Sequence, residues 1–325
     1  WPCGPPLLCV PSGRPLPYGP CGRPLPYGPC GRSGAGATGE RRRRPHPRGP
    51  DVRDRRIHAE RHIHLITPGD HFSPGTGSAI PTVVHGLAAQ TPSGMPVPVV
   101  LVARGTYADR YPSAQAVEYA PARERRTDRY LDVLAGRLGL PRPGARRVLA
   151  AALAPQAHLA PGVVFAHNAP QAVGLVDGSK HLPVLYAHNQ LLRTYSRPEA
   201  GRTLAGAGGI IAVSESLREQ LAAHLPPALQ ERIRVVRNGV DPEEFRPPPV
   251  WERGEVLQVM FVGRMIPDKG PDVLLEALRL LDLPDIHLTL IGGAGFGPDA
   301  PLTPFETAIR KRAAELDGRA TVRPF

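Results

Sequence analysis

The stretch FVGRMIPDKGPDVLLEAL, residues 261–278, decides the fold that this sequence predicts. It opens with an apolar strand, expected to be buried, that ends at Val262, and Gly263 permits a tight exit from it. Pro271 suits the first turn of the following helix, where no backbone N–H partner is needed. Apolar residues at helical spacing predict the buried face of that helix: Val273, Leu274, Ala277, Leu278 and Leu281.

Two cations sit in the loop between this strand and this helix, Arg264 and Lys269. Ligands of open α/β sheets bind at the carboxyl ends of the strands, which is where this loop begins. Two cations beside a helix N-terminus suit the charge of a diphosphate. The alternative interpretation is an ordinary loop with two solvated side chains.

The same alternation of apolar strands and helical segments extends in both directions from this stretch. Short apolar runs of this kind, separated by helices, are typical of parallel sheets covered on both faces. We therefore predict an α/β fold with two Rossmann-like halves. A helix over 217–225, capped by Ser216, is one of the predicted connections. The other predicted strands are 62–67, 99–103, 116–119, 163–166, 184–187, 210–213, 233–236, 256–262, 286–291 and one beginning near residue 320.

Three regions follow from composition: a tail over 1–61, a first domain over 62–245, and a linker with a second domain over 246–325. The boundary between the domains is indicated by PEEFRPPPVWERG, residues 242–254, because consecutive prolines favour a stiff linker. The tail holds twelve arginines and four acidic residues, a net charge of +8. The remaining residues therefore carry only +3 of the total +11.

The tail contains an exact tandem repeat, GRPLPYGPC, at 13–21 and 22–30. Such Pro- and Gly-rich sequence cannot bury enough apolar surface to offset its ordering entropy, so we predict that the tail is disordered and dispensable. All four cysteines lie there, at spacings that do not match paired zinc ligands. The region after residue 61 has no cysteine and suits a reducing compartment. No apolar run reaches about 18 residues, so the sequence predicts a cytoplasmic protein, peripheral at the inner membrane surface at most.

Two His-Asn pairs each follow a predicted strand, His167-Asn168 and His188-Asn189. Both pairs should lie at the carboxyl edge of the first sheet, where a ligand would bind. The alternative is that each histidine only caps a neighbouring element. His62, His64 and His71 cluster near the first strand, but no cysteine or acidic partner completes a metal site, so we interpret them as structural and expect no metal.

Glycines follow two further predicted strands. Gly75 and Gly77 lie in the loop after the first strand, and Gly292 and Gly293 follow the strand ending at residue 291. Glycine lets the backbone approach a ligand closely, although a simple turn or a flexible loop is the alternative in each case.

Taken together, several segments resemble glycosyltransferase family 4, and they occur in the family's order. They are the opening stretch, IAVSESLREQL (211–221), VVRNGVDPEEF (235–245) and LTLIGGAGFG (288–297). Two departures are visible: Gly209 stands where the family usually has Asp, and Thr76 separates glycines that are more often adjacent. The resemblance covers residues from about 62 to the end. It implies the GT-B fold, two Rossmann-like domains facing across a cleft, and sugar transfer with retention and without a metal.

The resemblance also implies roles for individual residues. Arg264 and Lys269 would hold the donor diphosphate, and Gly75 and Gly77 would meet it from the opposite domain. Gly292 and Gly293 would form the loop beside the donor. His188 would be catalytic, near the transferred sugar. The acceptor-side candidates are His167, Asn168 and Asn189.

The expected function is therefore transfer of a sugar from a nucleoside diphosphate sugar to a hydroxyl acceptor, which would be a sugar, a polysaccharide or a lipid-linked molecule. No cofactor is expected, because the nucleotide sugar is a substrate, and no specific nucleic acid partner is expected. Two alternatives stay open: a nucleotide-sugar epimerase of similar architecture, and a non-enzymatic nucleic-acid binder that uses the basic tail. Removal of residues 1–61 would separate the last of these from a transferase.

The second half is expected to be incomplete. The family carries a later segment with two glutamates eight positions apart that holds the donor ribose, and Glu306 and Glu315 are nine apart in an earlier helix. We therefore expect the chain to be a fragment with an exposed sheet edge in its second half and with little activity alone.

Overall fold

The computed structural model describes residues 61–123, 125–247, 254–295 and 301–324. The predictions for the tail over 1–61, apart from Arg61, and for most of the linker after 247 lie outside these residues. The strands are Arg61–Leu65 (β1), Val99–Ala103 (β2), Gln115–Tyr119 (β3), Gly162–His167 (β4), His181–Ala187 (β5), Gly209–Ala212 (β6), Ile233–Val235 (β7), Leu257–Val262 (β8), Ile286–Ile291 (β9) and Ala320–Arg323 (β10). The helices are Ala79–Ala89 (α1), Asp128–Arg137 (α2), Pro143–Leu153 (α3), Pro170–Val173 (α4), Arg197–Thr203 (α5), Glu215–Ala222 (α6), Pro227–Gln230 (α7), Pro271–Leu281 (α8) and Pro304–Ala314 (α9).

These strands form two parallel sheets, as the sequence predicts. The first has the order β3-β2-β1-β4-β5-β6-β7, so the direction of winding reverses between β1 and β4. Such a reversal opens a crevice at the carboxyl ends of the two strands, where ligands of doubly wound folds bind. The second sheet has the order β10-β9-β8.

The first sheet is covered on both faces by helices. On one face, Leu185, Ile210 and Leu221 belong to a core shared by β5, β6 and the helices from α5 to α7. On the other side of the central strands, Val84 of α1 packs with Phe72 and alternate residues of β2. All five residues of β2 are buried, which explains its uninterrupted apolar sequence.

In the described part of the chain, helices α8 and α9 cover one face of the second sheet. Met260 and Val262 of β8 are 65% and 64% exposed, so the prediction of a buried strand there is wrong. The physical reason is the alternation of side chains along a strand: Val259 and Phe261 pack against the helices, and Met260 and Val262 point to the other face.

The predicted face of α8 is also partly wrong. Val273, Ala277 and Leu281 are exposed, and the buried stripe consists of Pro271, Leu275 and Leu278.

The cap of α6 differs from the prediction as well. Ser214, not Ser216, precedes the helix, and its Oγ accepts a hydrogen bond from the backbone N–H of Leu217 at 3.1 Å. Both serines fit the sequence rule for a cap, and the point where β6 ends decides between them.

Replacement of Ser214 by Ala removes the acceptor for an N–H group of the first turn of α6. We expect the free energy of unfolding to fall by about 1 kcal/mol, measured by urea titration. Ser216→Ala is the matched control, with an expected change within about 0.5 kcal/mol because this exposed residue caps nothing. A larger loss in Ser216→Ala than in Ser214→Ala would contradict the assignment.

Candidate functional site

Three histidines from neighbouring strands form one hydrogen-bonded chain at the carboxyl edge of the first sheet. Nδ1 of His64 on β1 lies 3.0 Å from Nε2 of His167 at the end of β4. Nδ1 of His167 lies 2.8 Å from Nε2 of His188, directly after β5. The parallel register produces this arrangement, since it pairs Leu65 with Ala166 and His167 with Tyr186.

The chain runs from the protein interior to its surface. His64 is 3% exposed and His167 is fully buried, whereas His188 is half-buried. Aromatic rings flank the chain: Phe165 stacks on His64, and Tyr186 stacks on His188 with 4.7 Å between ring centroids. His188 is therefore the most exposed member of the chain.

Burial makes all three imidazoles neutral at physiological pH. Desolvation lowers the pKa of His64 to about 3 and that of His188 to about 4. Burial also lowers the pKa of His167 well below its usual value, and the neighbouring histidines add to this effect. The site thus presents a neutral imidazole, which can either donate or accept a hydrogen bond, instead of a cation.

The two hydrogen bonds couple the tautomers of the three rings. Each bond contains one proton, and each neutral ring carries one. If His167 carries its proton on Nε2, it donates to His64, and His188 must donate from its own Nε2. If His167 carries its proton on Nδ1, both bonds reverse. All three rings therefore share one tautomer, and Nδ1 of His188 is an acceptor in the first state and a donor in the second.

Asn168 fixes the position of His188. Its side-chain oxygen accepts a hydrogen bond from the backbone N–H of His188 at 2.8 Å, and its own N–H donates to the carbonyl of Tyr186. Asn168 adopts a left-handed backbone conformation with φ 52°, which asparagine tolerates better than most residues. Asn189 is exposed beside it.

A cavity of 190 Å³ adjoins this edge, lined by His167, Asn168, Gln171, Tyr195 and neighbouring apolar residues. Gln171 is 2% exposed, and its Oε1 has no hydrogen-bond partner, while its Nε2 donates to the Tyr195 hydroxyl at 3.4 Å. A buried oxygen without a donor is costly, so it needs a donor such as a water molecule or a ligand hydroxyl group.

Both ring nitrogens of His167, which the sequence analysis places on the acceptor side, are hydrogen-bonded to the other two histidines. Its acceptor-side role stays a prediction. His64, interpreted from the sequence as structural, belongs to the same chain of histidines. Only the register of β1 against β4 reveals this, since 103 residues separate the pair along the chain.

The loop between β1 and α1 contains the predicted glycines. Gly75 and Gly77 are both exposed, and the N–H of Gly75 donates to Oγ of Ser73 at 3.1 Å. Ser78 precedes α1 without a side-chain cap, and the first turn holds no acidic residue. The side chain of Ser78 is hydrogen-bonded to Asp70, so a carboxylate already lies beside the positive N-terminus of α1.

In the second sheet, Arg264 and Lys269 lie at the carboxyl edge as predicted, and both are exposed. Lys269 ends a short 3-10 turn, and Gly270, with φ 69°, then starts α8 with Pro271 in its first turn. Nη2 of Arg264 donates to the carbonyl of Ala294 in the loop after β9, at 3.1 Å. The guanidinium of Arg264 is thereby positioned beside the loop that contains Gly292 and Gly293.

The loop after β9, which contains Gly292 and Gly293, is held in place by contacts with the loop after β8 and with α9. Gly292 has φ 140°, and a Cβ there would collide with the carbonyl oxygen of Gly263, so glycine is required. Gly293 accepts a hydrogen bond from the N–H of Met265 at 3.0 Å. The N–H of Ala294 donates to Oε2 of Glu306, a buried residue of α9, at 3.0 Å. Glu306, which sequence reasoning gave no role, thus positions the loop that holds Arg264.

Within the described ranges, no group of three or more His, Cys, Asp or Glu side chains is arranged to hold a metal ion. None of the described helices is long and apolar enough to cross a bilayer.

Comparison with known proteins identifies the family. The profile described as Glycosyltransferase Family 4 matches residues 81–244, about half of the chain. YtcC of Bacillus subtilis, described as a putative glycosyltransferase, is 28% identical over 136 residues, covering 36% of this chain and 33% of that protein. The alpha-maltose-1-phosphate synthase of Mycolicibacterium smegmatis is 33% identical over 105 residues, covering 29% of this chain and 26% of that protein. The chain thus spans about a third or less of the length of these relatives.

Solved structures agree on the fold. Anabaena HepE, solved with UDP and glucose, superposes with a TM-score of 0.54 at 16% identity, covering 82% of this chain and 69% of that one. OtsA in its apo form superposes with a TM-score of 0.50 at 16% identity, covering 80% of this chain and 69% of OtsA. At this identity the likeness concerns the fold, which is the α/β GT-B type with two Rossmann-like parallel sheets.

The coupled tautomers lead to a spectroscopic prediction. With ¹⁵N-labelled histidine, the ring shifts of His64, His167 and His188 should report neutral rings of the same tautomer at pH 7. His158, a histidine outside the chain, is the control for assignment. Opposite tautomers in neighbouring rings, or a protonated ring at this pH, would refute the coupling.

The lowered pKa values also predict a loss of stability in acid. The folded-state pKa of each histidine lies below its unfolded value of about 6.5, so the unfolded chain binds protons first as pH falls. This contribution is present above about pH 6.5 and is lost progressively towards pH 4, where folded His188 titrates. His64→Phe should show a shallower loss of the free energy of unfolding over this range. The same pH dependence of the free energy of unfolding in the wild type and in His64→Phe would contradict the prediction.

Proposed function

Because this chain belongs to glycosyltransferase family 4, we propose that it forms the core of an enzyme that moves a sugar from a nucleoside diphosphate sugar to a hydroxyl acceptor. Arg264 carries the proposal: it is positioned at the carboxyl edge of the second sheet by the loop after β9. The donor diphosphate is the anion that best fits this edge.

The donor side combines cations with a helix N-terminus. Arg264 and Lys269 precede the positive end of α8, and two carboxylates share this region, Asp268 beside Lys269 and Asp272 in the first turn of the helix. As the bond to the sugar breaks, negative charge grows on the leaving diphosphate. Cations held in advance stabilise that charge without reorganisation, which is the largest contribution of many active sites. HepE, which shares this fold, was solved with UDP and with UDP-glucose, and this supports a nucleotide-sugar donor.

The first domain supplies neutral groups to the reaction. Gly77 and the uncapped first turn of α1 offer backbone N–H groups to a phosphate, while the N–H of Gly75 would first have to leave Ser73. His188 is the catalytic residue in this proposal, because its neutral ring can hydrogen-bond a sugar hydroxyl or the diphosphate. A neutral imidazole suits a centre where an oxocarbenium-like charge develops, since a cation there would oppose it.

On the acceptor side, the cavity beside Asn168 and Gln171 would hold a hydroxyl-bearing molecule. The exposed Asn189 would be a further contact of the acceptor. A sugar, a polysaccharide or a lipid-linked acceptor would fit this chemistry. A lipid-linked acceptor would bring the protein to the inner membrane surface as a cytoplasmic, peripheral protein. Retention, with the leaving phosphate helping to deprotonate the acceptor on the same face, and independence of metal ions complete the proposal.

The donor site can be tested by calorimetric titration of the chain with uridine, guanosine and adenosine diphosphates. Arg264→Ala and Lys269→Ala should each weaken binding of the preferred nucleotide at least about tenfold, because each removes a charge-assisted hydrogen bond of about 1.5–3 kcal/mol.

Arg279→Ala is the matched control for these variants. Arg279 is an exposed arginine near the far end of α8, paired with Glu276, and its loss changes the net charge equally. We expect wild-type affinity in this variant. Equal affinity of all three variants and the wild type for every nucleotide would sink the assignment of the diphosphate site.

A further inference from the structure

Helix α2 presents its apolar side to the outside of the protein. Tyr130 is 78% exposed, Val133 52%, Leu134 57% and Leu138 64%. These residues recur at intervals of three and four, so they form one continuous stripe. A surface helix of a globular protein normally turns such a stripe towards the core.

The polar side of α2 faces the protein and is fixed there. Asp128 pairs with Arg147 of α3. The carboxylate of Asp132 accepts hydrogen bonds from the backbone N–H groups of Gly144 and Ala145 at 2.7 and 2.9 Å, which caps α3. Rotation of α2 to bury its apolar stripe would break all of these bonds, so the outward orientation is built into the packing.

The charge around the stripe has one sign. Arg125, Arg126, Arg129 and Arg137 are exposed, whereas Asp128 and Asp132 are the acidic residues of the described segment 125–140 and are engaged with α3. The outer surface of this segment therefore combines apolar side chains, an aromatic ring and four cations. We call it the α2 face.

We propose that the α2 face docks on an anionic lipid bilayer. Apolar side chains would enter the boundary between headgroups and acyl chains, Tyr130 would lie at the headgroup level, and the arginines would contact lipid phosphates. A ten-residue helix is too short to span a bilayer, so it would lie in the plane of the surface. A cationic rim complements anionic lipid, whereas a protein groove of mixed charge would leave these arginines without partners.

The α2 face would be the surface that makes the peripheral membrane contact proposed above, and in that respect the inference rests on the proposed function. The experiment below measures lipid binding directly. Lipid binding can therefore be absent while nucleotide binding is present, and nucleotide binding can be absent while lipid binding is present.

Sedimentation of the full chain with phosphatidylcholine vesicles, with and without phosphatidylglycerol, tests the proposal. The wild type should bind the anionic vesicles. The double variant Tyr130→Ser with Leu134→Ser, and the double variant Arg129→Glu with Arg137→Glu, should each lower the partition coefficient about tenfold or more. The wild type and all variants carry the same basic tail, so the result is the difference in partition coefficient between each variant and the wild type.

The control places one change of each kind on another helix. Arg279→Glu with Leu280→Ser alters one exposed arginine and one exposed apolar residue of α8, and it should bind vesicles as the wild type does. Circular dichroism checks that each variant is folded. Wild-type binding by both α2 double variants would overturn the proposal. Absence of vesicle binding, with self-association that the same variants abolish, would also overturn it and assign the α2 face to a second copy of the chain.

Discussion

Parallel pairing of strands is the constraint on which the rest of this molecule depends. In a parallel sheet every strand ends at the same edge, so residues far apart in sequence meet there without any local signal. The chain of His64, His167 and His188 exists because β1, β4 and β5 are adjacent and in register. The same rule in the second sheet brings Arg264, after β8, to the loop after β9.

The two sheets use this edge for opposite electrostatic purposes. The first presents groups without charge, because burial keeps the three imidazoles neutral. The second presents cations, and it positions them through backbone groups: Ala294 accepts from Arg264 and donates to Glu306. Glu306 in turn pairs with Arg310 at 2.9 Å, so its buried charge is compensated. A nucleotide sugar needs both environments, cations for its diphosphate and neutral hydrogen-bonding groups for its sugar.

The strands can be predicted from the sequence because continuous apolar runs such as β2 mark buried strands by themselves. The loops that follow these strands can then be placed at the carboxyl edge. The prediction of burial fails where a neighbouring element decides which side chains are covered. The burial of β8 depends on which of its two faces the helices cover, and the buried stripe of α8 depends on the side from which β9 and α9 approach. The hydrogen bond of His64 to His167 could not be predicted because its partner lies on another strand, and the contact of Glu306 could not be predicted because its partner is a backbone N–H. The roles of all the predicted site residues, and the domain boundaries, stay predictions.

The linked imidazoles have a consequence for the electric field at the site. Because the three rings share one tautomer, their N–H dipoles point the same way. Conversion of the row from one tautomer to the other moves a proton along it, since Nδ1 of His188 must gain a proton while Nε2 of His64 loses one. His64 is buried, so exchange of its proton with solvent requires local opening of the protein. The polarity that His188 presents at the edge of the sheet is therefore fixed by the interior end of the row, and an arriving molecule meets that polarity already in place.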